Sequence, residues 1–354
     1  MNPATSLGHN PYVFSRRDFA RLFGMGAAGL TLQPHQDAPQ EPPSAPVAVV
    51  AGRPPGRAIP EALELLGQAN VSERDVYLKA SYNSADPYPA ATAPETLQTV
   101  VRLLRDLRCR RIRLIERSGM GQTAAIWAEL GVRETLRGLN VELLPLEALG
   151  QDLFRRENLA GWHWKHGVEA PGFLNHDACI VQICNLKTHR FGGIFSASLK
   201  NSIGLIAKRG EVEGNPYNYM LEFHSSPDQR LMIAEVNQLY KPAVVIMDAM
   251  QAFVDGGPER GRVVKLGAIL AGFDRIAIDA VGLALLRLNG AGRELTARGV
   301  FEQEQIKRAV EIGLGIRSAK EIKLLPAGDE ASRRLVAQIS ANLLEPLEEE
   351  KPVR

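Results

Sequence analysis

Ala178-Cys179-Ile180-Val181-Gln182-Ile183-Cys184 runs straight into Asn185-Leu186-Lys187-Thr188-His189. The first seven residues are almost wholly apolar, with β-branched side chains at Ile180, Val181 and Ile183. That composition reads as a strand covered on both faces, the kind found in parallel sheets. Its polar continuation matters as much, because open parallel sheets bind ligands beyond the carboxyl ends of their strands. The end of this strand is therefore the first place to look for function.

Outward from this strand the chain alternates apolar runs with amphipathic segments. Val76–Ala80, Ile112–Glu116, Val141–Leu144, Val244–Met247 and Ala268–Ala271 read as further strands. Pro94–Leu107 reads as a helix with Leu97, Val100, Val101 and Leu104 on one face, and its leading proline suits a first turn. Ala124–Leu130, Arg275–Leu288, Gln305–Ile312 and Ala331–Leu344 complete the helices. The alternation predicts an α/β fold with a mostly parallel sheet flanked by helices. Gly150–Gly172, with Trp162, His163, Trp164 and His166, breaks the rhythm and reads as an irregular insert, a loop or hairpin.

The polar residues that follow the strands form four groups. Lys79 to Asn83 follows the first strand, and helix-start chemistry at Thr92 to Glu95 leaves Lys79 and Asn83 unexplained. The second group is the richest: Asn185 to His189, then Ser198-Leu199-Lys200-Asn201. Lys187 and His189 are two apart, so a strand presents both on one side. Two lysines near one histidine depress each other's basicity and suit either base chemistry or the holding of a carboxylate or phosphate. A surface loop with solvated lysines is the alternative. The third group is Asp248 at a strand's end, with the turn Gly256-Gly257-Pro258 soon after, where backbone amides could approach an anion. In the fourth, Asp274 is an N-cap, while Asp279 sits inside a helix apolar nearly all round. A carboxylate there needs a partner, and Lys187, Lys200 or a divalent metal would serve.

The candidate catalytic residues are thus Lys187, His189 and Lys200. Lys79, Asn83, Asn201 and Gly257 are the ligand-binding candidates, and Asp248 and Asp279 the metal candidates. His163-x-x-His166 lacks further ligands at zinc spacing and reads as structural.

The Asn185–His189 element, the Ser198–Asn201 element and the Asp274-x-x-x-x-Asp279 helix together resemble domain-of-unknown-function family 362. Leu78-Lys79 and Gly257-Pro258-x-x-Gly261 fit the same pattern, over about residues 75–290. The resemblance implies an α/β domain and names no chemistry. Some members carry ferredoxin-like cysteine motifs. This chain has three cysteines, Cys109, Cys179 and Cys184, and no Cys-x-x-Cys. An iron–sulfur cluster is not expected, and the cysteines read as small buried hydrophobes.

The amino-terminal stretch Ser15-Arg16-Arg17-Asp18-Phe19-Ala20-Arg21, followed by a short glycine- and alanine-rich apolar run, has the layout of a twin-arginine export signal. Arg16 and Arg17 would be read by the twin-arginine export machinery, placing the folded passenger in the periplasm or otherwise outside the cytoplasm, anchored if the signal is uncleaved. The expected organisation is a signal over 1–32, a proline-rich tether over 33–58 with a possible short strand at Val47–Ala51, and one α/β domain over 59–350. No later run is long and apolar enough to span a bilayer. A net charge of +2 in 354 residues, with no basic stripe interleaved with aromatics, argues against nucleic acid. The expected function is binding of, or action on, a small anionic ligand. The alternative is an accessory or chaperone-like partner of an exported redox enzyme, docking through an exposed patch at Trp162 and Trp164.

Overall fold

The computed structural model describes residues 44–67 and 69–344. The expected signal, with Arg16 and Arg17, lies outside the described residues. In chain order the elements are β1 (Ala45–Ala51), α1 (Pro55–Leu65), β2 (Asp75–Lys79), α2 (Pro94–Asp106), β3 (Arg111–Glu116), α3 (Thr123–Glu129), α4 (Val132–Thr135) and β4 (Glu142–Pro145). Then come β5 (Phe154–Glu157), β6 (Val168–Pro171), β7 (Cys179–His189), β8 (Ile194–Ser196), α5 (Ser198–Asn201), β9 (Arg209–Val212), β10 (Asn215–Asn218), α6 (Tyr219–Ser225) and α7 (Gln229–Glu235). The chain continues with β11 (Pro242–Gly256), β12 (Gly261–Gly272), α8 (Arg275–Leu288), α9 (Arg293–Thr296), α10 (Glu304–Glu311), β13 (Ile322–Pro326) and α11 (Glu330–Leu344).

A nine-stranded sheet runs β13-β1-β12-β11-β7-β2-β3-β4, with β8 beside β7. From β11 to β4 every neighbouring pair on this path is parallel. β12 is antiparallel to both β11 and β1, because the turn at Gly256–Gly261 joins it directly to β11. The α/β fold with a mostly parallel sheet is therefore the architecture of this chain. Every residue of β7 is buried, the apolar first half as expected and the polar end from Asn185 to His189 with it.

Helices cover both faces. One core gathers α1, α2 and α3 against Val76, Leu78, Val181, Ile183 and Ile246. The other gathers α5 to α8 and α10 against Cys184, Leu186, Val245 and Met247. From β2 the chain crosses by α2 to β3 on one side. From β7 it crosses by α5, α6 and α7 to β11 on the other side and the opposite face. The order thus reverses between β2 and β7, a topological switch point, where the carboxyl ends of the two strands leave a crevice.

The expected tether gives way before its predicted end. Residues 45–51 form β1, which contains the short strand expected at Val47–Ala51 and pairs with β12 on one side and β13 on the other, and α1 starts at Pro55. Prolines suggested an extended linker, but Val47, Ala48, Val49 and Val50 are wholly buried. Pro46 is tolerated near the strand's start, and Pro55 in the first turn of the helix. The short strands expected at Val244–Met247 and Ala268–Ala271 are the inner parts of a long hairpin. The irregular insert contains the β5–β6 hairpin. Trp164 is buried, stacked on Phe223, and half-buried Trp162 donates its ring N–H to Gln238. These tryptophans form no exposed docking patch. His163 pairs with buried Glu235, and all three cysteines are buried.

Candidate functional site

A cavity of about 310 Å³ opens at the switch point, within the size range of small-molecule sites. Lys79, Asn83, Lys187, His189, Lys200 and Asn201 all line it. Six of the seven catalytic and ligand-binding candidates therefore face one space. β2 supplies Lys79 at its end and β7 supplies Lys187 and His189. The β7–β8 hairpin then reverses the chain, pairing Lys187 with Ser196 and His189 with Ile194. That reversal sets α5 back over the strand it left and brings Lys200 beside His189.

Lys79 is fully desolvated. Its ammonium donates to Glu116 Oε2 at 2.9 Å, Asn201 Oδ1 at 2.8 Å and the Ala80 carbonyl at 2.5 Å. Burial lowers its basicity and the Glu116 carboxylate opposes that shift. Glu116 also accepts the backbone N–H groups of Tyr82 and Arg117. Asn201 ties the assembly together, donating its amide to the Ile183 carbonyl. Gly204 packs directly against the pair, where any Cβ would collide with Glu116 Oε1.

Lys187 differs in its partners. Its ammonium donates to the Ala90 carbonyl, and no carboxylate bonds to it among the described residues. Burial pulls it down to about 8. Asn185, two residues earlier on the same face, donates to the Pro89 and Ala91 carbonyls at 3.1 and 2.9 Å. Together they grip the main chain of the loop between β2 and α2.

Lys200 Nζ stands 2.6 Å from His189 Nε2. Burial, then the charge of Lys187, lowers Lys200 to about 7. Burial and the neighbouring Lys200, Lys187 and His224 hold the His189 imidazole neutral. The backbone N–H of Phe191 donates to His189 Nδ1 at 3.3 Å.

The remaining candidates sit elsewhere. Gly257 is not on the cavity wall. Its left-handed φ of 64° and its tight approach to the Thr188 carbonyl leave no room for a Cβ. Its carbonyl accepts from Arg190, and its neighbours Pro258 and Glu259 reach the cavity. Asp248 faces α2, accepting the Tyr88 hydroxyl at 2.7 Å, the Thr96 hydroxyl at 2.5 Å and the Met250 N–H at 3.0 Å. Asp279 faces α5 on the other side of the sheet, accepting the N–H groups of Ser198 and Leu199 at 2.7 and 3.0 Å. The two carboxylates thus share no site, and protein donors occupy both. Among the described residues no three His, Cys, Asp or Glu side chains cluster as a metal would need. The partner Asp279 needed is a pair of backbone amides, with Arg275 nearby, and burial still raises it to about 7.

Glu116, Arg117, Phe191 and His224 also line the cavity and had not been singled out from sequence. Glu116 and Arg117 carry the same signal as Lys79: polar residues at the end of an apolar strand. Arg117 is spent on structure, donating to the Ile203 and Ile206 carbonyls. Phe191 and Met120 stand at the rim with 46% and 74% of their surfaces exposed. Nothing in the sequence marked His224, which arrives from α6.

No curated protein matches the chain. The family model described as a domain of unknown function (DUF362) matches residues 76–284, from the first residues of β2 to the body of α8. That span holds every residue of the lysine–histidine cluster and covers more than half of the sequence, so the chain belongs to the DUF362 family.

Proposed function

We propose that this chain is an exported protein that binds a small anionic ligand in the β2/β7 crevice and moves protons on it. One observation carries the reading: Lys187 and Lys200 share a small cavity at the switch point, and neither is bonded to a carboxylate among the described residues. A desolvated ammonium without an anionic partner is unstable, and a bound carboxylate or phosphate supplies that partner. Lys187 holds the charge, keeping two N–H groups beyond the one given to Ala90. Lys200 is the proton-transfer group, since an amine lowered to about 7 accepts and returns protons near neutral pH, and the neutral His189 imidazole is its hydrogen-bond partner. Lys79 and Asn201 fix the floor.

Titration calorimetry with phosphate and with oxalate tests the reading. Binding to the wild-type chain, lost on Lys187→Met and kept on Lys320→Met at a remote surface, is the expected result. No heat with any small anion, or equal binding by the Lys187 variant, would sink it. Export rests on Ser15–Arg21 and is tested separately. Arg16→Lys combined with Arg17→Lys should retain the full-length chain in the cytoplasmic fraction of a bacterial host.

A further inference from the structure

The partners of His189 bear on where its proton lies. Phe191 N–H donates to Nδ1, so Nδ1 offers a lone pair and carries no hydrogen. The one proton of the neutral ring is then on Nε2, which faces Lys200 Nζ at 2.6 Å. An ammonium at Nζ would set N–H against N–H at that distance. An imidazolium would do the same against Phe191. The contact is satisfied when Lys200 is a free amine accepting from Nε2–H. Burial beside Lys187 favours the same state.

A desolvated free amine next to a second cation is the arrangement that makes lysine a nucleophile toward carbonyl carbon. Resting on the anion-binding reading above, we infer that Lys200 forms an imine with the carbonyl of a short 2-oxo carboxylate whose carboxylate group lies against Lys187. The cavity suits such a molecule in size and lining: Phe223 and Met220 add apolar wall to the lysines, which limits water around the reacting carbon. Nζ bonds to the carbonyl carbon, and the oxygen takes the Nε2 proton of His189 to give a carbinolamine. Nζ returns a proton to Nε2. The hydroxyl then leaves as water with the second amine proton, and the C=N bond closes. An amine and a ketone or aldehyde give an imine and water, with no oxidant or other co-reactant.

Full-length chain is incubated with pyruvate or with glyoxylate, reduced with sodium borohydride and digested for peptide mass mapping. The expected result is a single reduced adduct on Lys200, lost with Lys200→Arg and diminished with Lys187→Met and His189→Gln. Mapping in the wild-type chain locates the adduct even if a variant fails to fold, and circular dichroism checks each variant's fold. Oxalate binding by calorimetry with no adduct would overturn the imine and leave the anion site standing. Absence of both would overturn both. Adduct spread over surface lysines, equal in the Lys200→Arg chain, would also defeat the assignment.

Discussion

Asp279, in the middle of α8, accepts the backbone N–H of Ser198 at 2.7 Å and that of Leu199 at 3.0 Å, and so holds α5 from beneath. A helix of one turn has little stability of its own, and its free amides need acceptors. Asp279→Asn keeps one acceptor but turns an N–H₂ toward a backbone donor. The expected cost is about 1–3 kcal/mol in urea unfolding, the scale of a buried unsatisfied donor. Anion affinity should fall with it, because Lys200 and Asn201 ride on α5. Unchanged affinity with lowered stability would show that α5 is held in place by other contacts.

The Lys79–Glu116 pair is buried on both sides. Removing one partner leaves an uncompensated charge, so Lys79→Met or Glu116→Gln alone should cost roughly 3–5 kcal/mol. The double variant Lys79→Met with Glu116→Gln should recover much of that loss. A double-mutant cycle by chemical denaturation measures the recovery. Additive single losses would mean the two groups act independently.

Gly204→Ala tests the same corner sterically. Its new Cβ would push into Glu116 Oε1 and the end of Lys79. Overpacking of this kind typically costs about 1–3 kcal/mol. The melting temperature should fall while the far-ultraviolet spectrum stays that of the wild type. A melting temperature equal to wild type would show that the carboxylate has room to withdraw.

Stability should respond to pH through Lys187 and Lys200. Their folded values of about 8 and about 7 lie below the usual 10.5. Between those limits the unfolded chain binds more protons than the folded one, so these two groups raise stability as pH climbs from about 7 toward 10.5. Cys184 and Tyr82 oppose them above about 9, because burial raises both and the folded chain then keeps protons the unfolded chain releases. The wild-type minus Lys187→Met difference isolates one contribution. It should show wild type gaining on the variant between about pH 8 and 10. A flat difference would mean Lys187 is not desolvated in solution.

Ligand binding runs the other way. An anion prefers protonated Lys187, so affinity should weaken as pH rises through about 8. Calorimetry with oxalate across that window reads the slope. Affinity independent of pH would place the anion away from Lys187.

The sheet and much of the site were legible because their signals are local. The almost wholly apolar run Ala178–Cys184 declared a strand buried on both faces, and the rule that ligands gather at carboxyl ends then pointed to Lys79 and Lys187. β1 was harder to read, since its prolines argued for a linker while burial of Val47 to Val50 depends on β12 and β13 far along the chain. Asp279 reads from sequence as needing a partner and Asp248 as a metal candidate, and both have protein partners. Sequence could not say that those partners are a tyrosine, a threonine and main-chain amides, since that depends on which face each carboxylate points to. His224 joins the cavity only through the packing of α6, a long-range outcome with no local mark.

The grip of Asn185 and Lys187 on the loop before α2 has a bearing on how this pocket can diversify. Both side chains hold carbonyl oxygens, those of Pro89, Ala90 and Ala91. Every residue type offers the same carbonyl, so the hold is blind to the loop's side chains. Ser84 and Asp86, on the same loop and facing the cavity, are therefore open to replacement without loosening that hold, whereas Asn83 is itself a tie, accepting the Gly119 N–H at 3.0 Å. The chain separates the anchoring of a wall from the choice of what the wall selects, and new ligand preferences can arise at Ser84 and Asp86 while the lysines stay where they are.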